Sequence, residues 1–574
     1  MIRLWVRALA LCSVAALAMP ACAASEDATT AYHSIVQDYF KAQWSAHPTT
    51  ATSTGVHTYD AQLDDVSAGA VAREIARVKS AQARLRAIDG AKLSPLDRDD
   101  RDVLLGEMDG QLLQDETIQG WRHDPGTYVN LITTAAFQLI ERDFAPLPER
   151  MKNIVARENA MPHLFAEAKA NLTNMPPVFV DVALQNLDGG ISVLANDVPA
   201  AFKSVQDAAL QRAFAASTAA AVNAAKDFKT WLVAQKPGAH GSFVLGRDNL
   251  QRLLASDLVD VPVEKVLAAG EAQFAKDHAA FLATEKLVDP KHPSQAMAAV
   301  QADHPANTIE LLAAAKADLT SLQSFIEQHH IVTLPSQMLP VVAETPAFAR
   351  AEIFGETDPP GALETHATKV YYFITPPDPK SSAAAQAAML AYWNRPMLQN
   401  LTVHESLPGH FVQYLYLHAH PEWSLVRQTA GSYTTTEGWA HYSEQMMLDE
   451  GLSAGQPQYR LTQLQDAILR DCRLIASIKM HTGAMTLAQA TDMMQTQCFQ
   501  PAQVALGEAR RGTNDPGYYS YALGKLEILK LRADAQKQQG KSFDLEKFHD
   551  AFMNAGLVPV SIIRREMGIA GSAL

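Results

Sequence analysis

From Thr30 to about His330 apolar residues recur at helical spacing, broken by short stretches containing Pro or Gly. That period predicts amphipathic helices, each turning one face to a core. Helical spacing runs from Ala72 to Ile88 and stops at Gly90. Ser94 then offers an N-cap with Pro95 at the first helical position, followed by acidic residues that suit the positive end of the helix dipole. Further helices are predicted at 148–172, 205–235, 262–287 and 307–330, the last capped by Asn307. Between Ile331 and Pro379 the period is lost, and Lys369 to Thr375 reads as a strand stopped by Pro376-Pro377. Helical spacing returns after Ser381 and holds to about Ala555. The pattern predicts a mainly α fold with one small antiparallel sheet at about 331–379. The strand is either buried structure or a free edge to which an extended peptide adds, with Tyr371 and Tyr372 on opposite faces, one toward a site and one toward the core.

The first 23 residues stand apart from this pattern. Arg3 and Arg7 precede an apolar run, Ala8 to Ala18, too short to span a bilayer, and Ala21-Cys22-Ala23 offers a small-x-small cleavage site. This predicts a secretory signal cleaved after Ala23 and a periplasmic or secreted protein. The alternative is lipoprotein processing at Cys22, which Met19-Pro20-Ala21 fits poorly as a lipobox. No later stretch of some 18 consecutive apolar residues predicts a membrane span. Hydrophobic residues at 48% exclude a disordered chain, and the net charge of -14, or -16 without Arg3 and Arg7, leaves no excess cation for a nucleic-acid backbone. Across 574 residues no low-complexity linker or fixed-period repeat marks a domain boundary.

Two cysteines remain after cleavage, Cys472 and Cys498. In an oxidising compartment an even number invites a disulfide, and a helical hairpin folded about Gly483 brings the two side by side. Buried free thiols are the other reading.

No G-x-S-x-G elbow, phosphate loop, dinucleotide fingerprint or C-x-x-C is present. What stands out is His404-Glu405-Ser406-Leu407-Pro408-Gly409-His410, followed by Glu437-Gly438-Trp439-Ala440. A helical H-E-x-x-H sets two imidazoles on one face to bind Zn²⁺, with the Glu placed to take a proton from water. Here the histidines are six residues apart. On a straight helix six steps of about 100° leave them about 240° apart, pointing to different sides. Pro408-Gly409 is expected to bulge or break the helix so that His410 swings back beside His404.

H-E-S-x-P-G-H with a downstream E-G-W-A resembles a bacterial family of uncharacterised domains related to the gluzincin metallopeptidases. The segment 40–63 is similar to that family's N-terminal signature, so the likeness covers nearly all of the mature chain. The wider gluzincins include thimet oligopeptidase, angiotensin-converting enzyme and the carboxypeptidase Taq type, and dipeptidyl peptidase III has a motif stretched by one residue. The resemblance implies a single bilobed helical unit over 24–574 around a deep cleft, with the zinc-site helices at about 396–450. It implies Glu437, 27 residues after His410, as third ligand. Asp515-Pro516-Gly517-Tyr518-Tyr519-Ser520-Tyr521 is similar to the thimet-type G-Y-Y-S-Y segment, implying Tyr518 and Tyr521 as donors to a tetrahedral intermediate. The thimet-type Gly-Gly-Tyr upstream is replaced by Gly512-Thr513-Asn514.

The expected enzyme holds one Zn²⁺ on His404, His410 and Glu437, with Glu405 as general base and short peptides as substrates. Glu444, seven residues after Glu437, is expected to orient a ligand histidine or to be solvated. Arg473, Arg511, His481, Tyr371 and Tyr372 are candidate substrate contacts, with surface or core roles as the alternative for each. Two further functions stay open: a zinc hydrolase of non-peptide amides or esters, and a retired peptidase scaffold serving as a periplasmic binding protein.

Overall fold

A computed structural model describes residues 27–346, 350 and 353–574. The expected leader, its cleavage site after Ala23 and Cys22 lie outside the described residues. The fold is mainly α with one small sheet. Several helices begin where a polar side chain satisfies one of their first amides. Ser94 accepts from Asp97 N ahead of the helix Pro95–Leu112, and Asn307 accepts from Glu310 N ahead of Thr308–Gln328. The predicted segments appear as Ala68–Arg86, Leu147–Asn171, Ala208–Gln235 and Val263–Val288.

Three apolar clusters form the interior. One joins the N-terminal helices, the sheet and the histidine-bearing helices, and includes Tyr372, Trp393, Val403, Phe411 and Trp439. A second lies among the helices between Tyr128 and Leu232, and a third packs Val263–Val288 against the helix Pro457–His481. The run Pro177–Ala201 is long and apolar enough by composition to cross a membrane, although the sequence reading found no such stretch. Asp181 and Asp188 interrupt the consecutive apolar residues that reading required. Val180, Leu187, Val193, Leu194 and Val198 of this run are buried in the second cluster, and about a third of its apolar window is buried in all.

The sheet corrects two expectations. It has three strands, β1 (Val341–Glu344), β2 (Gly355–Asp358) and β3 (Tyr371–Ile374), in the order β1-β3-β2. β1 pairs with β3 in parallel and β2 with β3 antiparallel, so the sheet is mixed rather than antiparallel. Of the two readings of the 369–375 strand, buried structure holds and the free edge does not: β3 is the central strand, which leaves Tyr372 fully buried.

Cys472 and Cys498 are joined by a disulfide with their Cα atoms 6.5 Å apart. The hairpin forms as read: Pro457–His481 turns at Gly483 (φ +79°) into Leu487–Thr496, whose cap Thr486 and Gln489 close a capping box.

Candidate metal centre

The first histidine helix, Arg395–Glu405, opens on the Asn394 cap and stops at Glu405; the next, His410–Ala419, starts at His410. The helix is therefore broken between the histidines. Ser406 N and Leu407 N both donate to Thr402 O, at 2.9 and 3.1 Å, and Gly409 N donates back to Val403 O at 3.0 Å. This folds the turn against the last helical carbonyls. A side chain at 409 has no room, because its Cβ would lie 1.7 Å from His404 O. The Leu407-Pro408 peptide is cis.

Three letters of the downstream motif each have a physical task. Glu437 reaches both histidines, its Oε2 lying 3.5 Å from His404 Nε2 and 3.6 Å from His410 Nε2. Gly438 sits where its helix, Tyr433–Asp449, crosses the helix Ser520–Gln539 at Gly524; a Cβ at 438 would lie 2.5 Å from Gly524 backbone. Trp439 Nε1 donates to Pro408 O at 2.8 Å, fastening the turn between the histidines.

His404, His410 and Glu437 offer ligand atoms that all lie within 4.8 Å of one another. His404 Nδ1 bonds Glu444 Oε1 at 2.7 Å and His410 Nδ1 bonds Gln413 Oε1 at 2.9 Å. With the protons on Nδ1, both Nε2 lone pairs face Glu437, whose buried Oε2 has no hydrogen-bond partner. Ligands at about 2.0–2.1 Å in a tetrahedral shell lie about 3.3–3.4 Å from one another. The observed separations and the His/His/Glu donor set fit Zn²⁺, and the orphaned oxygen calls for a cation.

Without a metal, the same geometry shifts protons. Burial alone depresses His404, but Glu437 and Glu444 outweigh it and hold the imidazole at about 10. Burial likewise works against the charge on Glu437, yet His404 and His410 keep its carboxyl far below the usual range. Glu405 is raised, first by burial, with both histidines opposing.

Glu405 is fixed by β2: Thr357 N donates to its Oε2 at 2.8 Å and Thr357 Oγ1 donates to its backbone oxygen. Next on that strand, Glu356 is held up to about 7 by burial and then by the Glu405 charge. Glu444 is fully buried and also meets Arg470 at 3.2 Å and Asn400 at 3.4 Å. The expected role of Glu444 in orienting a histidine matches this contact.

The remaining candidates divide. Tyr521 stacks near His404, ring centroids 6.5 Å apart, and its hydroxyl bonds that of Tyr433 at 3.0 Å. Tyr518 is buried and donates to Glu508, so its hydroxyl is engaged away from the ligands. Arg473 spends its guanidinium on Glu508 at 2.8 and 2.9 Å. Arg511 lies 4.7 Å over the Tyr518 ring with its side chain half exposed, and its only ion pair among the described residues is to Asp515 at 3.8 Å. His481 is buried, its nitrogens against Phe243 O and Gly512 O, and does not reach open space. Tyr372, expected to be a substrate contact, instead bonds Thr402 Oγ1 at 3.2 Å in the core. Tyr371 packs on Phe373 and under Arg142. Sequence reasoning missed Tyr433, Gln413 and Thr357. Tyr433 precedes Glu437 by one helical turn and Gln413 follows His410 by three residues, so helical spacing carried a signal for both.

The family model described as "Bacterial protein of unknown function (DUF885)" matches residues 48–567. The chain is similar in structure to a protein from Shewanella oneidensis described as a "putative lipoprotein of unknown function", with a TM-score of 0.80, 25% identity, and coverage of 93% of this chain and 99% of that one. A "putative lipoprotein" from Colwellia psychrerythraea shares the fold at a TM-score of 0.80 and 18% identity, over 94% of this chain and 99% of that one. No curated protein matches the sequence.

Proposed function

The chain belongs to this bacterial family of unknown function, and on that premise we propose that it is an extracytoplasmic, zinc-dependent hydrolase that cleaves peptide bonds of short oligopeptides. The observation that carries the reading is the convergence of His404, His410 and Glu437 beside Glu405. The N-terminal leader pattern and the descriptions of the two structural neighbours support the location, and they give lipid attachment at Cys22 added weight. The likeness of the motif to gluzincin peptidases supports the peptide bond as target.

Zinc held by the three side chains would supply a Lewis acid for the scissile carbonyl and lower the pKa of an attacking water. The protein's own groups do the rest. Thr357 pins one oxygen of Glu405, leaving the other to take the water proton and return it to the leaving amine. Glu444 and Gln413 fix the tautomer and tilt of the two imidazoles. The Tyr521 hydroxyl, which shares a hydrogen bond with Tyr433, would donate to the developing oxyanion. Arg511 is the guanidinium with capacity left for a substrate carboxylate.

Glu405→Gln should keep about one zinc per chain and lose roughly 10²–10⁴-fold in peptide hydrolysis. His410→Ala should lose both metal and activity. Wild-type protein with less than about 0.2 zinc per chain, not restored by added zinc, would leave a binding protein on this scaffold as the better reading. Hydrolysis of amide or ester conjugates with no cleavage across a peptide panel would move the assignment to a non-peptide hydrolase.

A further inference from the structure

Behind the Tyr433–Tyr521 pair lies a cavity of about 430 Å³, bounded by the helix Pro95–Leu112, the end of the helix Arg247–Ser256 and the segments around 431–434 and 514–520. Its size falls in the range of small-ligand sites. Tyr433 belongs to both places: it lines the cavity and its hydroxyl bonds Tyr521 beside His404.

The lining is one-sided in charge. Glu107 and Asp257 face it, and no Lys, Arg or His is among its described lining residues. Asp515, on the same wall, leans on Arg511 at 3.8 Å; Asp257 is hydrogen-bonded by Ser432 and Thr434, and neither it nor Glu107 has an ion pair among the described residues. Tyr519 also lines the cavity. It is only 3% exposed, and its hydroxyl has no hydrogen-bond partner among the described residues. A group that fills the cavity and hydrogen-bonds this hydroxyl must also suit two carboxylates.

We infer that this cavity is a binding site for an organic cation, the side chain of a Lys or Arg residue of the substrate. An alkylammonium or guanidinium group on a four- to five-atom stem places its charge on Asp257 and Glu107 and its N–H donors on Tyr519. The apolar stem has Leu253, Val103 and Pro559 to lie against. Burial holds Asp257 up at about 6, the penalty that a bound cation would remove. Tyr433 joins the cavity to the metal centre, so a residue anchored here sits close in sequence to the bond being cut.

The origin of the cation rests on the peptidase reading, whereas the site itself does not. The test therefore has two arms. Agmatine carries both cationic groups and no carboxylate, and its binding to the zinc-loaded protein is measured by calorimetry. Saturable one-to-one binding is expected, weakened at least tenfold in Asp257→Asn and measurably in Tyr519→Phe, with zinc content unchanged. In the second arm, peptides differing only in Arg, Lys, citrulline or norleucine beside the scissile bond are compared. Wild type should favour Arg or Lys over citrulline at least tenfold in kcat/KM, and Asp257→Asn should reduce that preference to under threefold. Glu107→Gln provides a second variant should Asp257→Asn misfold. Agmatine binding that is absent, or equal in all correctly folded variants, overturns the site. Binding that depends on Asp257, with no peptide cleaved by wild type, upholds the site and removes the peptidase reading instead. Peptides cleaved without preference for Arg or Lys overturn the assignment to a substrate side chain.

Discussion

Replacing Gly409 by Ala adds one methyl group and tests how the two histidines are brought together. That methyl carbon would sit 1.7 Å from His404 O and 2.5 Å from Val403 O. Ordinary contact needs about 3.4 Å, so the turn must retreat by about 1.7 Å. Retreat stretches the 3.0 Å bond from Gly409 N to Val403 O and carries His410, the next residue, with it. Zinc ligand distances tolerate about 0.2 Å. A displacement several times larger takes His410 Nε2 out of the shell it shares with His404 and Glu437. Stability should fall by about 1–3 kcal/mol, as in other overpacked sites, while zinc affinity falls by more than the 10–100-fold typical of losing a supporting partner. The assay is a zinc titration against a chromophoric chelator, with circular dichroism and a urea transition on the same samples. A Gly409→Ala protein with native helicity and zinc affinity within threefold of wild type would refute the reasoning, because the turn would then not set the ligand geometry.

Three further outcomes are expected. Glu444→Gln keeps the shape but removes the charge that His404 Nδ1 meets at 2.7 Å, so zinc affinity should drop 10–100-fold with the fold intact; an unchanged chelator titration would deny it that role. Glu527, 2% exposed, is raised to about 8, first by burial and then by Asp257. Its folded form binds the proton more tightly, so its contribution is full below about pH 4.5 and is lost as pH rises toward 8, on the order of a few kcal/mol. Glu527→Gln should therefore flatten the Tm–pH curve above pH 5, and parallel curves for the two proteins would count against it. Replacing both Cys472 and Cys498 by Ala frees a crosslink spanning 26 residues and should cost about 3.5 kcal/mol in urea unfolding; a loss under about 1 kcal/mol would show that the hairpin holds itself.

Local rules carried the reading where local physics decides. Ser94 and Asn307 announced helix starts because a cap is satisfied by its own next turn. The grouping of His404, Glu405, His410 and Glu437 was legible because H-E…H spans one short turn between two helices and E-G-W-A sits on a third, and the chemistry restricts which residue types serve. The break at Pro408-Gly409 followed from the angle that six residues subtend. The pairing of β1 with β3 was not legible, because parallel partners some thirty residues apart carry no turn signal and four-residue strands show little alternation. Thr357 was invisible for the same reason: its link to Glu405 spans 48 residues and depends on how the sheet docks. Tyr372 and Tyr518 were misjudged because an aromatic hydroxyl in sequence does not reveal whether its partner lies in the core, at Thr402 or Glu508, or in open space.

The crossing at Gly438 and Gly524 leaves the two helices no side-chain cushion: a Cβ at 524 would lie 1.9 Å from Thr434 O. Glu437 and Tyr521 ride on these helices within a turn of the contact, so they behave as one machined part. Any motion of the protein that opens this site must move the pair together, whereas the opposite wall, where the short strand β2 holds Glu405 through Thr357, belongs to a separate element. Variants selected for new substrates should therefore accumulate changes around β2, while the glycine crossing stays untouched even where neither glycine meets the substrate.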